Sequence, residues 1–355
     1  MVKSTLMDNE RVLYLDILRI FSVFCMIVLH ANLTGFRYFS PESFEWQVYN
    51  VFGSLVRICV PLFVMISGAL FLDPNKEIPL TKLFSKYILR IVTAFLFWSV
   101  LYAIYNAFYF EGSTKESVVQ FIKEVISGQF HMWFLFMIVG LYLIVPFLKK
   151  ITANKKLTEY FLILAFIFAL IIPLLMKWTA LGSPIFETIL GNANIAFVTK
   201  FPIYYVAGYY FSINQISCRN KLIIYILGIV SIIFTIFTNS YLSIQAGAGF
   251  EALYDYLYPN TALFTLAVFI FFRSFFEERQ FSDKATRAVL LFSKCSFGIY
   301  LAHVFVLIFF NEIGFTTFIF NPIVSIPLVS ISIFFASFLI SFLLNKIPVI
   351  KRYIV

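Results

Sequence analysis

The amino-acid sequence predicts an all-α polytopic membrane protein with about ten transmembrane helices. Of its 355 residues, 61% are hydrophobic and only 13% are charged, whereas a soluble domain carries about 25% charged residues. The apolar residues form ten runs, each close to the length of about 20 residues that crosses a bilayer core. No polar stretch is long enough for a separate soluble domain, so residues 1–355 are expected to form one membrane domain.

The ten predicted spans follow one another with short polar loops between them. They lie near residues 12–33, 47–72, 84–109, 131–149, 158–177, 194–214, 221–240, 259–276, 288–311 and 321–345. The first run contains ionisable residues and no small-residue cleavage site. We therefore interpret it as a retained span and not as a removable signal peptide.

The basic residues set the predicted orientation. With the N-terminus inside, the inner segments hold 19 Lys and Arg residues and the outer segments hold four. Because short cytoplasmic loops carry an excess of positive charge, both termini are predicted to be cytosolic. This placement of basic residues in short inner loops explains the net charge of +9. It therefore argues against a nucleic-acid partner. Four further cations lie inside predicted spans: Arg19, Arg57, Arg90 and Lys200.

The first predicted span carries two ionisable residues on one face. Arg19 and His30 are 11 positions apart, so they lie about 20° from the same helix face and about 16 Å apart along the axis. An ionisable residue inside a membrane helix marks a functional-site hypothesis. Asp16, three residues before Arg19, is its neighbour on the helix. Two interpretations of Asp16 stay open, a partner that neutralises Arg19 and a direct role in the reaction.

The second and third predicted spans add further cations. Arg57 must face protein or water because it lies inside a span, and Pro61 is expected to kink that helix. Lys82, Lys86 and Arg90 recur at i, i+4 and i+8, which predicts a cationic stripe. Interfacial anchoring explains such a stripe in simple terms, and a clamp for phosphate groups is the functional alternative.

Two other histidines lie in later spans. Residues 111–130 have the spacing of a short amphipathic helix on the outer surface, and they lead to His131 and Trp133 at the outer start of the fourth span. His303 lies in the middle of the ninth span and is expected to face protein or a cavity. Glu251 and Asp255, in an outer loop, could bind a sugar or assist a base, although a solvated loop explains them more simply.

The four cysteines indicate neither a disulfide framework nor a metal site. Cys25, Cys59, Cys218 and Cys295 fall in spans or on the predicted cytosolic side, and their spacing fits no metal-binding pattern. No metal is therefore expected.

Several motifs in chain order carry a family resemblance. They are LDILR followed by ten residues and His30, then VPLFVMISGALFL, the basic start of the third span, HMWFLFMIVGLYLIVPFL, FPIYYVAGYYF and SFGIYLAHVFVL. This set resembles the acyltransferase 3 family, integral membrane O-acyltransferases of bacterial surface glycans. It is most similar to the enterobacterial common-antigen O-acetyltransferase type.

The resemblance implies a multi-pass enzyme of the bacterial plasma membrane. It implies acetyl-CoA as donor from the cytosolic side and a hydroxyl of a surface glycan or lipid-linked saccharide as acceptor. The Arg/His pair of the family corresponds to Arg19 and His30. The family also has two arginines three positions apart at the start of the third span. Arg90 matches the second of these arginines, but Tyr87 occupies the position of the first, with Lys86 beside it.

Together these observations give a predicted site with a cationic inner end and a histidine outer end. His30 suits a general base, because the ordinary pKa of histidine is close to working pH, and an acyl-histidine relay stays open. The predicted residues are His30, Asp16 and His131 for catalysis, Arg19, Arg90, Lys86, Tyr87 and Arg57 for the donor, and Trp133, Glu251 and His303 for the substrate.

One alternative function is export of a surface polysaccharide through a proton relay. The clustering of basic residues at one end of the spans, away from the bilayer midplane, favours the enzyme. The sequence is compatible with a homo-oligomer but does not specify one.

Overall fold

A computed structural model describes residues 12–108, 114–178, 200–251 and 253–355 of the chain. Across these ranges the structure is helical and has no β-strand. Nine of its helical stretches are long and apolar enough to cross a membrane. The predicted class, an all-α polytopic membrane protein, is confirmed.

Fourteen helices are present in the described residues. They are α1 (Leu13–Tyr38), α2 (Phe44–Val56), α3 (Cys59–Phe71), α4 (Leu80–Ala107), α5 (Thr114–Ser127), α6 (Trp133–Leu143), α7 (Val145–Thr152), α8 (Lys155–Met176), α9 (Pro202–Ile213), α10 (Cys218–Ala246), α11 (Pro259–Phe276), α12 (Asp283–Glu312), α13 (Pro322–Leu344) and α14 (Pro348–Tyr353). Two stretches have π-helical hydrogen bonding, Leu83–Ile88 in α4 and Phe166–Ile171 in α8.

The fourth and sixth predicted spans differ from the structure. The span predicted at 131–149 is divided into α6 and α7 near Ile144, where Pro146 lacks the N–H that would continue the helix. The span predicted at 194–214 overlaps α9, which begins at Pro202, and its residues 194–199 lie outside the described ranges.

Helix α1 is the central helix of the bundle. It packs against α2, α3, α11, α12 and α13, and buried residues occur around most of its circumference. A helix that is apolar on all sides is stable when its neighbours cover it completely. The polar residues of α1 are therefore held inside the bundle.

The second membrane crossing is broken near its middle. Helix α2 ends at Val56 and α3 begins at Cys59. Pro61 has no N–H to donate to the carbonyl of Arg57, which interrupts the helical ladder at this point. The kink expected from Pro61 is thus a break four residues before it, and it places Arg57 at the junction of two half-helices.

Helices α3 and α9 approach each other so closely that only glycine fits at two positions. A Cβ atom on Gly68 would lie 1.8 Å from the carbonyl oxygen of Tyr205, and one on Gly208 would lie 2.0 Å from the carbonyl oxygen of Met65. Both obstacles are backbone atoms, which cannot move aside as a flexible side chain can. Close approach through small residues is the usual basis of helix packing in membranes.

We expect Gly208→Ala to destabilise the protein, because the added methyl group must separate α3 from α9. Overpacking of this kind costs about 3 kcal/mol of unfolding free energy, which thermal unfolding in detergent would detect. Gly140→Ala is the matched control, since a Cβ there meets no atom within 4 Å. Equal melting temperatures for the two variants would contradict the close contact.

Candidate active site

All three histidines of the chain lie together, although they come from separate elements. His30 is on α1, His131 is in the 3-10 turn Phe130–Met132 that precedes α6, and His303 is on α12. Ring centroids are 5.0 Å apart for His30 and His303, 5.0 Å for His131 and His303, and 6.3 Å for His30 and His131. We call this group the histidine cluster.

Hydrogen bonds order two members of the histidine cluster. His30 Nδ1 and His303 Nε2 are 2.7 Å apart, and His303 Nδ1 is 2.6 Å from the carbonyl oxygen of Tyr300. His303 is fully buried, whereas His30 is partly exposed. Both nitrogens of His303 are thus engaged within the protein, so the direct substrate contact suggested by the sequence has no free nitrogen to make it.

His131 is buried without a hydrogen bond to its ring. It is 2% exposed, and neither ring nitrogen has a partner among the described residues. Its ring packs edge-on against Tyr102 and Tyr300 at 5.6 and 5.5 Å, and its backbone carbonyl accepts a 2.9 Å hydrogen bond from the Tyr300 hydroxyl. A buried polar group without a partner is costly, which makes this imidazole a candidate for contact with a ligand.

A polar group formed by Asp16, Arg19 and Ser293 lies near the start of α1. Arg19 Nη1 is 3.5 Å from Asp16 Oδ1 and donates to Ser293 Oγ at 3.2 Å. The Ser293 hydroxyl donates to Asp16 Oδ1. Asp16 therefore holds Arg19 in place, and it is 14 positions along α1 from His30, about 21 Å. This separation opposes a direct role for Asp16 in chemistry at the histidine cluster.

Arg90 lies near Arg19. The charge of Arg19 acts on both Arg90 and Tyr142, and the Tyr142 hydroxyl faces the side chain of Ser67. We call these four residues, with Asp16 and Ser293, the cationic end. Arg90 Nη2 donates to the backbone carbonyl of Val355 at 2.5 Å, and its Nε is buried without a partner in the described part of the chain.

The π-helical turn changes the cationic stripe expected on α4. It covers Leu83–Ile88, and its wider winding shifts Lys86 out of line with Arg90. Lys86 is exposed and lies over the ring of Tyr87 at 5.7 Å. Tyr87 contacts Tyr142 edge-on at 6.5 Å, so Tyr87 is the nearer of the two to the cationic end.

Arg57 is placed away from the cationic end. Its Nη2 is 3.5 Å from Glu251 Oε2, and its guanidinium lies 4.2 Å from the centre of the Tyr254 ring. It is also within electrostatic range of His30. The sequence assigned Arg57 to the donor, but the break before Pro61 and the inward fold of the loop after α10 put it on the side of the histidine cluster.

The loop after α10 contributes a tyrosine that sequence analysis did not identify. The Tyr254 hydroxyl lies 2.8 Å from Asn50 Oδ1, and burial raises the pKa of Tyr254 to about 12 even though the Arg57 cation opposes the shift. The phenol therefore stays protonated beside Arg57. Loop residues have no periodic pattern, so no local signal in the sequence marks Tyr254.

Trp133 lies at the same side of the bundle. It stacks with Tyr256 at 6.0 Å and contacts Phe201 at 5.8 Å, and it is 40% exposed. Tyr256 lies within electrostatic range of Arg57 and Glu251. The indole, its aromatic partner and the ion pair therefore form a surface that is partly aromatic and partly charged, which suits a polar ring-shaped ligand.

Tyr205 carries one more buried polar atom that has no partner in the described part of the chain. The Tyr205 hydroxyl is fully buried on α9 and has no hydrogen bond to the described residues. It is within electrostatic range of Tyr142. Tyr205, Arg90 and His131 thus lie on three different elements, and each has a buried polar atom without a partner in the described part of the chain.

The described residues contain no group of three or more His, Cys, Asp or Glu side chains arranged to hold a metal ion. In the histidine cluster the reason is geometric. His30 and His303 bond each other, so their facing nitrogens cannot both point to one ion.

Comparison with known proteins identifies one family. The family model described as an acyltransferase domain, that of the acyltransferase 3 family, matches residues 12–346. No curated protein and no solved structure matches the chain. The match includes every residue of the cationic end and of the histidine cluster.

Proposed function

The chain belongs to the acyltransferase 3 family of membrane acyltransferases, and from this premise we propose that it moves an acetyl group from acetyl-CoA to a hydroxyl of a surface glycan or lipid-linked saccharide. In this proposal the donor enters at the cationic end from the cytosol and the acceptor enters at the histidine cluster from outside. The membrane is the bacterial plasma membrane. Export of polysaccharide is not favoured by the family match.

The observation that carries the proposal is the arrangement of α1. One continuous, buried helix holds Arg19 at one level and His30 at another, about 16 Å apart along its axis. Coenzyme A has the same two-part form, an anionic nucleotide joined by a long thin arm to a reactive thioester. A donor aligned with α1 would bring its phosphates to the cationic end and its thioester to His30.

The cationic end supports binding of the phosphates. Arginine binds phosphate with two parallel hydrogen bonds, and Arg19 is already oriented by Asp16 and Ser293. Arg90 Nε has no partner in the ranges that the structure describes, and a phosphate oxygen would satisfy it. Tyr87 and Lys86 lie at the edge of this group and would contact the nucleotide.

The histidine cluster supports the transfer step. His30 removes the proton from the acceptor hydroxyl while the hydroxyl oxygen forms a bond to the acyl carbon. The C–S bond of the thioester then breaks, and the proton passes from His30 to the sulfur. The products are an ester and the free thiol of CoA. His131, whose ring nitrogens have no partner among the described residues, would donate to the oxyanion that forms between these steps.

The surface formed by Trp133, Arg57 and Glu251 supports an acceptor that contains sugar. An aromatic face packs on the apolar side of a pyranose ring, and the ion pair can exchange its contacts for hydroxyl groups. This surface lies on the same side of the protein as His30, as the transfer step requires.

Binding of acetyl-CoA to purified protein in detergent tests the donor site. We expect saturable binding by the wild type and an increase in Kd of about 10–100-fold for Arg19→Ala, because charge-assisted hydrogen bonds to the phosphates are lost. Release of CoA on addition of glycan acceptors then tests transfer.

Lys149→Ala is the matched control for the removal of a positive charge. Lys149 lies on α7 and donates to the carbonyl of Lys76, outside the cationic end, so its Kd is expected to stay within about twofold of the wild type. A folded wild-type protein that does not bind acetyl-CoA would contradict the proposed donor, and a large loss in Lys149→Ala would show that the entry site is misplaced.

A further inference from the structure

We infer that His303 is a positioning residue that fixes the tautomer of His30 and leaves Nε2 of His30 as the basic nitrogen. The inference rests on the proposed function for its catalytic meaning, but the hydrogen-bonded pair can be measured without an activity assay. It gives His303 a role different from substrate contact.

The two imidazole rings are joined in their common plane. Their planes differ by 14° and their centroids are 5.0 Å apart, while Nδ1 of His30 lies 2.7 Å from Nε2 of His303. A five-membered ring with bonds of about 1.33 Å has a radius of about 1.15 Å. A straight in-plane bond of the observed length therefore places the centroids about 5.0 Å apart, whereas stacked rings would not bring the two nitrogens together.

The direction of the hydrogen bonds follows from the Tyr300 carbonyl. A carbonyl oxygen can only accept, so the proton at this contact is on Nδ1 of His303. Neutral His303 then has a lone pair on Nε2, and Nδ1 of His30 must donate to it. Neutral His30 has only one N–H, so its Nε2 carries the free lone pair.

The surroundings hold His303 in place. It is fully buried on α12, and the neighbouring carbonyl of Leu301 accepts a 2.9 Å hydrogen bond from the Tyr102 hydroxyl. The hydroxyl of Tyr300 is bonded to the His131 carbonyl. His30 is the partly exposed member of the pair, so the nitrogen left free is also the one that a substrate can reach.

This arrangement has a chemical consequence. When His30 accepts a proton on Nε2, its Nδ1–H donates to His303 more strongly, and His303 stabilises the imidazolium without itself accepting the proton. A side chain that orients the basic histidine in this way raises the rate through geometry and electrostatics.

The first test measures the tautomer directly. The chain contains three histidines, so histidine labelled with ¹⁵N gives three sets of ring signals in solid-state NMR spectra of the protein in bilayers. We expect His30 and His303 to be protonated on Nδ1 in the wild type. In His303→Phe, which fills the site without a nitrogen, His30 is expected to shift toward protonation on Nε2.

The second test is a rescue by a conservative variant. The Oε1 atom of glutamine can occupy the place of His303 Nε2 and accept from His30. We expect His303→Phe to lower kcat about 100-fold with KM for acetyl-CoA within about threefold, and His303→Gln to recover most of this loss together with the wild-type tautomer of His30. Equal activity of the two variants would indicate packing alone and would overturn the inference.

The two tests separate this inference from the proposed function. A wild-type protein that transfers acetyl groups but has His30 protonated on Nε2 would overturn the positioning role and leave the acetyltransferase standing. A wild-type protein with both histidines protonated on Nδ1 but without transfer to any acceptor would support the pair and contradict the proposed reaction.

Discussion

The variant His30→Ala is expected to lose acyl transfer, with a fall in kcat of about 10³-fold or more. His30 is the one member of the histidine cluster that is partly exposed, and its Nδ1 is bonded to His303, so Nε2 is the available base. Without it, neither the proton of the acceptor hydroxyl nor that of the leaving thiol has a carrier.

Two measurements distinguish a loss of the transfer step from a loss of donor binding. Acetyl-CoA binding by His30→Ala is expected to match the wild type, because the proposed phosphate contact at Arg19 lies about 16 Å away along α1. Arg19→Ala should show the opposite pattern, with weak binding and a recoverable rate at high donor concentration. Substantial transfer by folded His30→Ala would remove His30 as the base.

The variant His131→Phe is expected to lower kcat about 100-fold, which corresponds to the loss of one oxyanion donor. His131 is 2% exposed, and neither of its ring nitrogens has a partner in the described part of the chain. Phenylalanine keeps the edge-on contacts with Tyr102 and Tyr300 but cannot donate a hydrogen bond. The fall should therefore appear in kcat, with little change in KM for the donor.

His131→Gln provides the comparison, because its amide can still donate. It should retain more activity than His131→Phe, and both should unfold at similar temperatures. If the two variants are equally active, or if His131→Phe is as active as the wild type, His131 does not stabilise the oxyanion.

The sequence predicted the features that depend on local helical geometry. Arg19 and His30 share one helix, so their spacing follows from their positions alone. Features of this kind need no knowledge of which helices are neighbours.

The sequence could not predict contacts that depend on how distant helices pack. His303 is 273 positions from His30, and no local pattern shows that the two rings meet. Arg57 was placed with the donor, whereas the break before Pro61 and the ion pair with Glu251 place it beside the loop after α10. Lys86 was placed on a regular helix, and the π-helical turn moves it outward.

Under the proposed reaction, helix α1 also sets the length of the donor. Because it is continuous and enclosed on most sides, the interval between Arg19 and His30 cannot stretch or shorten during turnover. A donor whose anionic group adjoins its acyl group, such as acetyl phosphate, would be held at Arg19 with its carbonyl about 16 Å short of the base. Under the proposed reaction, donor choice is thus a selection by molecular length, made by the rise of a single helix.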